Sequence, residues 1–196
     1  FITIMKKIML VAALMLSSVA TFAQHAVGSF NIQPKVGLNI ANLTGDGKPD
    51  ARVGLVAGAE GEYQATDIVS VSAGLLYSMQ GAKAKTPLAT ITQKLDYINV
   101  PITANVYVVK GLAVKLGLQP GFKVSDKASV DATHGGQIAV PGKAKSFDLS
   151  VPVGLSYEYN NFQLDARYNW GLTKVYEGNK AKNSVFQITL GYKFDL

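Results

Sequence analysis

The chain has 196 residues, a length that fits one domain once an N-terminal leader is set aside. It has no cysteine, which excludes disulfide bonds and thiol chemistry. Its 19 basic and 13 acidic residues give a formal charge of +6, an excess too small and too dispersed to indicate a nucleic-acid partner.

The N-terminal segment has the order of a secretory signal. A basic start at Met5–Lys7 is followed by the apolar run Ile8–Leu16 and then by small residues up to Ala23. A membrane anchor is the alternative, but the run is shorter than the roughly 20 residues that a spanning helix needs. We therefore expect residues 1–23 to be leader and signal peptide. Cleavage leaves residues 24–196, with 17 basic and 13 acidic residues and a net charge of +4.

Eight segments of the mature chain alternate between apolar and polar residues. Successive side chains of a strand point to opposite faces, so each segment has one apolar and one polar face. Six alternate positions span roughly 33 Å, or about 25 Å at a tilt of about 40°, which is the height of an outer-membrane apolar band. The segments are residues 30–40, 53–63, 69–79, 98–108, 112–122, 147–159, 162–172 and 186–194, and none has a charged residue on its apolar face.

The connections between these segments alternate in length. Outer-membrane barrels have short periplasmic turns and long external loops, and an even strand count leaves both termini in the periplasm. The short connections are Gln64–Asp67, Lys110–Gly111 and Asn160–Asn161, and the long ones are Asn42–Ala51, Gly81–Thr92, Ser125–Ala144 and Thr173–Asn183.

Aromatic residues concentrate at both ends of the segments, as expected for the two interfaces of a membrane. Strand propensity explains their abundance but not this placement. Near the short turns lie Phe30, Tyr63, Tyr159, Phe162, Tyr192 and Phe194, and at the opposite ends lie Tyr77, Phe122, Phe147, Trp170 and Phe186.

Several residues strain this pattern. Leu76 and Tyr107 fall on the inward face, and four prolines lie inside predicted strands, where we expect bulges or irregular pairing. Gly54, Gly58 and Gly61 follow one strand, where close backbone approach is their expected use. The prolines are Pro34, Pro101, Pro120 and Pro152.

The inward positions contain six basic and five acidic residues, which is close to neutral. Unpaired buried charge is costly, so these groups should pair with one another, and eight strands enclose space for little more than side chains. We expect a polar plug rather than a conducting pore. The predicted network is Lys35, Arg52, Glu60, Glu62, Lys115, Lys123, Asp148, Glu158, Asp165, Arg167 and Lys193.

Recognisable catalytic or cofactor chemistry is scarce. His25 adjoins the predicted cleavage site, where a mobile tail is expected, and His134 lies in the longest loop. Neither has a second ligand at metal spacing, so we predict no metal, no cofactor and no enzyme activity. A lipid-modifying enzyme built on His134 remains an alternative.

Four motifs together resemble a known family. They are Val36–Leu43, Asp96–Ile102, Leu118–Phe122 and Leu164–Leu172, the first of which includes a G-x-N-x-x-N-L pattern. In this order they are similar to the PorT-like outer-membrane β-barrel domain family of Bacteroidetes, over essentially the whole mature chain. The resemblance implies an eight-stranded outer-membrane barrel and supplies no catalytic residues. The role of PorT in secretion and gliding is not carried over, because the shared motifs belong to the scaffold.

The sequence thus predicts an all-β protein, an eight-stranded antiparallel up-and-down transmembrane β-barrel of the bacterial outer membrane, formed by residues 24–196. We expect a non-enzymatic, porin-like envelope protein, monomeric rather than oligomeric. Its expected partners are outer-membrane lipid and also surface polysaccharide or envelope proteins. A soluble lipocalin-like barrel, with the apolar faces turned inward around a ligand, is the alternative binding module.

Overall fold

The structure is a computed structural model that describes residues 25–44, 50–85, 89–132, 137–141, 144–178 and 180–196. All regular structure in these residues is strand, and none of it is a helix long and apolar enough to cross a membrane. The strands are β1 (Phe30–Thr44), β2 (Asp50–Gln64), β3 (Val69–Lys85), β4 (Ala89–Asn99), β5 (Ile102–Val109), β6 (Leu112–Ala132), β7 (Gln137–Pro141), β8 (Phe147–Tyr159), β9 (Phe162–Gly171), β10 (Lys182–Tyr192) and β11 (Phe194–Asp195).

These strands form one closed antiparallel ring. The pairing runs from β1 through β2 and β3 to β4 and β5, from these to β6, and then through β8 and β9 to β10. β10 pairs with β1, with Leu38 opposite Ile188, so the ring closes. β4 and β5 are two parts of one wall strand, as are β10 and β11, while β7 forms a hairpin with the outer part of β6. The wall therefore has eight strands, and the predicted eight-stranded up-and-down barrel is confirmed.

The outer connections are shorter than predicted, and the difference is largest after β3 and β6, because the ladders there continue past the apolar band. β3 and β4 remain paired as far as Lys85 and Thr90, and β6 pairs with β4 as far as Ala132. Backbone pairing needs no apolar face where water covers both sides of a hairpin. Hydrophobic alternation therefore gave no signal for these extensions.

Interruptions of the ladders accompany three of the four strand prolines. Val100–Pro101 is the break between β4 and β5, and Pro34 faces the break between β10 and β11. Pro152 coincides with a two-residue gap in the pairing of β6 with β8. Proline has no backbone N–H to donate, so each interruption lies where a ladder bond is missing.

The apolar faces point outward, as predicted. Leu38, Leu116 and Leu164 are each more than half exposed, whereas inward-facing Leu76 and Tyr107 are buried. A lipocalin-like arrangement would show the reverse, so that alternative is wrong. The exposed aromatic residues form the two girdles, with edge contacts between Phe122 and Phe147 at the outer end (5.8 Å between ring centroids).

Glycines on the inner face let neighbouring strands approach. A Cβ atom on Gly58 would lie 2.0 Å from the carbonyl oxygen of Leu75, and one on Gly54 would lie 2.3 Å from that of Met79. Distances below 3.0 Å are incompatible with a side chain at fixed backbone. Close backbone approach, the expected use of these glycines, is therefore what the structure shows at Gly54 and Gly58. At Gly61 the nearest neighbour is instead the ring of Phe30, 2.8 Å from where a Cβ atom would lie.

Candidate functional site

The middle of the lumen contains a compact ionic cluster, which we call the central cluster: Lys35, Glu60, Lys115, Asp165 and Arg167. Lys35 Nζ donates to Glu60 Oε2 at 2.8 Å, and Lys115 Nζ donates to Asp165 Oδ2 at 2.8 Å. Arg167 binds Asp165 in bidentate fashion, at 2.8 Å from Nε and 2.6 Å from Nη2. All five side chains are buried, and Asp165 and Arg167 reach the lumen because they alternate with Leu164, Ala166 and Tyr168 along β9.

Glu60 connects the two halves of this cluster. Its carboxylate also lies 3.0 Å from Arg167 Nη1 and 3.7 Å from Lys115 Nζ. Three cations therefore share two carboxylates, and the cluster has a formal charge of +1. Buried charges are tolerated when they are paired and hydrogen-bonded, and each of these five side chains has an opposite charge beside it and at least one hydrogen bond. The contact between Glu60 Oε1 and Arg167 Nη1 is an ion pair without hydrogen-bond geometry.

A second group, the periplasmic cluster, lies nearer the short turns: Glu62, Tyr107, Glu158 and Lys193. Lys193 Nζ is 3.0 Å from Glu62 Oε2 and 2.7 Å from Glu158 Oε2. Tyr107 donates its hydroxyl to Glu62 Oε1 at 2.5 Å and accepts a bond from Lys193 Nζ at 3.1 Å. This explains why a tyrosine points inward. The cluster has a formal charge of −1, which balances the central cluster.

His25 closes the periplasmic end of this cluster. Its Nε2 is 3.0 Å from Glu158 Oε1, and its Nδ1 is 3.3 Å from Asp195 Oδ1. The expectation of a mobile tail was therefore wrong. The carboxylates that hold His25 are distant in sequence, so proximity to the cleavage site was a misleading guide.

Three of the predicted lumenal residues lie towards the outer end and remain apart from both clusters. Arg52 donates to the carbonyl of Gln80 and lies 3.8 Å from Asp96 Oδ1. Asp148 accepts a bond from the Thr173 hydroxyl at 2.7 Å. Lys123 is half-buried and is held by Asp126 at 2.9 Å, so it belongs to the rim rather than to the middle of the lumen.

An apolar group that the sequence analysis did not identify covers the outer end of the lumen. Leu95, Tyr97, Ala144 and Val175 are buried together, with Leu43 and Tyr176 packed against them. We call these six residues the outer lid. Three of them, Ala144, Val175 and Tyr176, lie on connections between strands. The inward alternation of Leu95 and Tyr97 is visible in the sequence, but contacts with distant connections are not.

Polar contacts position the outer lid on the barrel rim. Asp126 accepts bonds from the backbone N–H of Ala144 and from Gln93 Nε2, both at 2.8 Å. The N–H of Lys145 donates to the carbonyl of Val175 at 2.7 Å. Burial raises the pKa of Tyr176 to about 12, with a smaller contribution from the Asp126 charge. Tyr176 therefore stays neutral within the lid at ordinary pH.

No metal-binding constellation is present in the residues that the structure describes. No group of three or more His, Asp or Glu side chains among them is arranged to hold a metal ion. His134, the residue on which an enzyme alternative depended, lies outside the described residues. Within the described part, the chemistry of the site is thus ion pairing inside the barrel and basic charge at its outer end.

Comparison with known proteins identifies the family. The profile described as "Outer membrane protein beta-barrel domain" matches residues 22–177, which is most of the chain. No curated protein gives a significant match.

Several solved structures share the fold. Ail, the attachment invasion locus protein of Yersinia pestis, solved in complex with the heparin analogue sucrose octasulfate, is 16% identical, with a TM-score of 0.54. The match covers 86% of this chain and 100% of Ail. Neisserial surface protein A is 19% identical, with a TM-score of 0.50, and the match covers 84% of this chain and 97% of that protein. At these identities the likeness establishes the fold alone.

Proposed function

The chain belongs to the outer membrane protein beta-barrel domain family and is an integral β-barrel protein of the bacterial outer membrane, and we propose that it is a plugged, non-enzymatic surface-binding protein. It acts through its outer end. Its ligands there are anionic saccharides or the anionic headgroups of outer-membrane lipid, and its lumen has a structural role.

The observation that carries this proposal is the separation of charge along the barrel. The formal charges of the central and periplasmic clusters cancel, so the net positive charge of the mature chain resides near the ends of the barrel. Among the charged residues that the structure describes at and beyond the outer girdle, lysines outnumber carboxylates. The lysines are Lys83, Lys85, Lys94, Lys123, Lys127, Lys145, Lys174, Lys180 and Lys182, and the carboxylates are Asp50, Asp96, Asp126, Asp131, Asp148 and Glu177. Basic surface charge raises the local concentration of anionic ligands.

The likeness to Ail supports this choice of ligand. Ail was solved with a heparin analogue bound, and it shares this fold. A polyanion on an eight-stranded barrel is therefore a physically realised combination. The position of this chain's lysines, rather than the likeness, is what assigns such a ligand here.

Two measurements on the purified, detergent-solubilised protein test the proposal. We expect binding to immobilised heparin that falls as salt rises, because surface charges are screened over about 8 Å at physiological ionic strength. In planar bilayers we expect no large steady conductance, since paired ions and the outer lid occupy the lumen. Stable channels would contradict the plug, and absence of any polyanion binding would contradict the surface role.

Three finer assignments accompany this proposal. Membership of the PorT-like group rests on the order of its four motifs, of which Gly37–Leu43 is the most distinctive. Signal cleavage after Ala23, which would leave residues 24–196, is tested by N-terminal sequencing of protein from isolated membranes. A monomer is expected because the barrel closes on itself, and sedimentation in detergent measures it.

A further inference from the structure

Three lysines lie side by side on the outer wall. The inference drawn from them rests on the proposed function and specifies its ligand. We propose that Lys83, Lys94 and Lys127 form a binding site for the phosphate groups of a phosphorylated glycolipid in the outer leaflet. They belong to β3, β4 and β6, three neighbouring strands of the wall, and we call them the lysine ladder.

The register of the strands creates this juxtaposition. Lys94 is directly opposite Lys127 in the pairing of β4 with β6. Lys94 is also opposite Gly81 on β3, so that Lys83, two residues further on, is its diagonal neighbour. Directly opposed Cβ atoms are about 4.5–5.5 Å apart and diagonal positions about 7–8 Å apart. One phosphate group can therefore contact two of these ammonium groups at once.

The face of the wall follows from the alternation along β4. Leu95 and Tyr97 are buried inside the barrel, so Lys94 and Asp96 take the outward side together with Ile98. A residue paired directly with Lys94 shares its face, which places Lys127 on the outward side too. The ladder thus faces the surrounding lipid layer rather than the lumen.

The height of the lysine ladder above the outer girdle matches the position of a lipid headgroup. Tyr77, Ile98 and Phe122 are in register across the same three strands and include two members of the outer aromatic girdle. Lys94 is four residues further out than Ile98, or about 13 Å along the strand and about 10 Å above the girdle at a tilt of about 40°. Long lysine side chains extend along such a surface to reach charged headgroups.

Two of the three carboxylates nearest the ladder are engaged elsewhere. Asp96 accepts a bond from the Tyr77 hydroxyl at 3.0 Å and lies near Arg52, and Asp126 holds Lys123. The third, Asp50, is directly opposite Lys83 in the pairing of β2 with β3, so it faces one of the three ladder charges, while Lys94 and Lys127 are directly opposite each other. Like charges directly opposite one another destabilise a sheet, so an external anion would stabilise this one.

Two triple variants test the site. The ladder variant is Lys83→Gln/Lys94→Gln/Lys127→Gln, and the matched control is Lys174→Gln/Lys180→Gln/Lys182→Gln. Both variants lose three charges from the outer end, but the control residues lie on or beside the connection from β9 to β10. The full mature chain in detergent is titrated with bisphosphorylated lipid A and, separately, with its dephosphorylated form, at 0.15 M salt. Heat-modifiable gel migration verifies that each variant is a folded barrel.

We expect wild type and control to prefer the phosphorylated lipid, and the ladder variant to bind it about tenfold or more weakly, because charge-assisted hydrogen bonds are lost. Lys94→Arg should retain binding. Equal weakening of both triple variants would overturn the ladder while leaving the proposed function intact. Heparin binding without lipid A binding would overturn the lipid as ligand. Failure to bind either anion would overturn the proposed function itself.

Discussion

Replacing Glu60 with Gln removes the carboxylate that holds the central cluster together. In the wild type three cations face two anions, whereas in Glu60→Gln the three cations face Asp165 alone. Lys35, at 2.8 Å, loses its nearest counterion, and Arg167 loses a partner at 3.0 Å. Removing one partner from a buried ion pair costs about 3–5 kcal/mol, and we expect the upper part of that range here because two cations are affected.

Arg167→Met is the matched perturbation, and it changes the formal charge of the central cluster in the opposite direction. Lys35 and Lys115 then face Glu60 and Asp165, so the cluster is neutral and each remaining charge keeps a partner. The expected loss is about 2–3 kcal/mol, mainly from the charged hydrogen bonds that Arg167 gives up. In the double variant the formal charge returns to +1. We therefore expect the double variant to be at least about 2 kcal/mol more stable than the sum of the single effects predicts.

The assay is urea unfolding of the barrel in lipid vesicles, followed by fluorescence of Trp170 and by heat-modifiable gel migration. Trp170 is the single tryptophan and lies on the outer girdle, on the opposite face of the wall from the altered side chains in the lumen. The free energy of unfolding is compared at equal m-value. Two results would refute the argument from burial. One is a free energy of unfolding of Glu60→Gln within about 1 kcal/mol of the wild-type value, and the other is strict additivity of the two effects in the double variant. Either result would show that water screens these charges.

Three further outcomes follow from the geometry. Gly58→Ala should destabilise the barrel by about 3 kcal/mol or prevent its assembly, because its Cβ would meet a carbonyl oxygen 2.0 Å away, while outward-facing Ala59→Val should be near neutral in the same unfolding assay. His25→Ala should lower the free energy of unfolding by about 1–2 kcal/mol, and an unchanged value would mean that the N-terminus is not held at the periplasmic end. Trp170 fluorescence should be quenched more by brominated lipid than by aqueous acrylamide, and the reverse preference would indicate an inverted barrel.

Alternation in the sequence was enough to predict the wall of the barrel, because a period of two assigns every residue of a strand to one face once a single residue is placed. It correctly placed even the apparent exceptions, Leu76 and Tyr107, on the inside. What alternation does not contain is which inward side chains meet. Arg167 and Glu60 are 107 residues apart, and their contact depends on strand stagger around the ring. The outer lid and the position of His25 depend on the same long-range arrangement.

An outer-membrane protein must present apolar side chains to lipid, yet it must not be retained in the first membrane that it crosses during export. The charges in the lumen help this chain to meet both requirements. A continuous apolar segment of about 20 residues would be retained as a helix in the first membrane that it meets. Along β9, Asp165 and Arg167 interrupt the apolar residues Leu164, Ala166 and Tyr168, so no such segment exists. Folding then turns these charges to the inside, where pairing offsets the cost of removing them from water. A narrow, ion-paired lumen therefore accommodates the charges that interrupt the apolar residues of these strands.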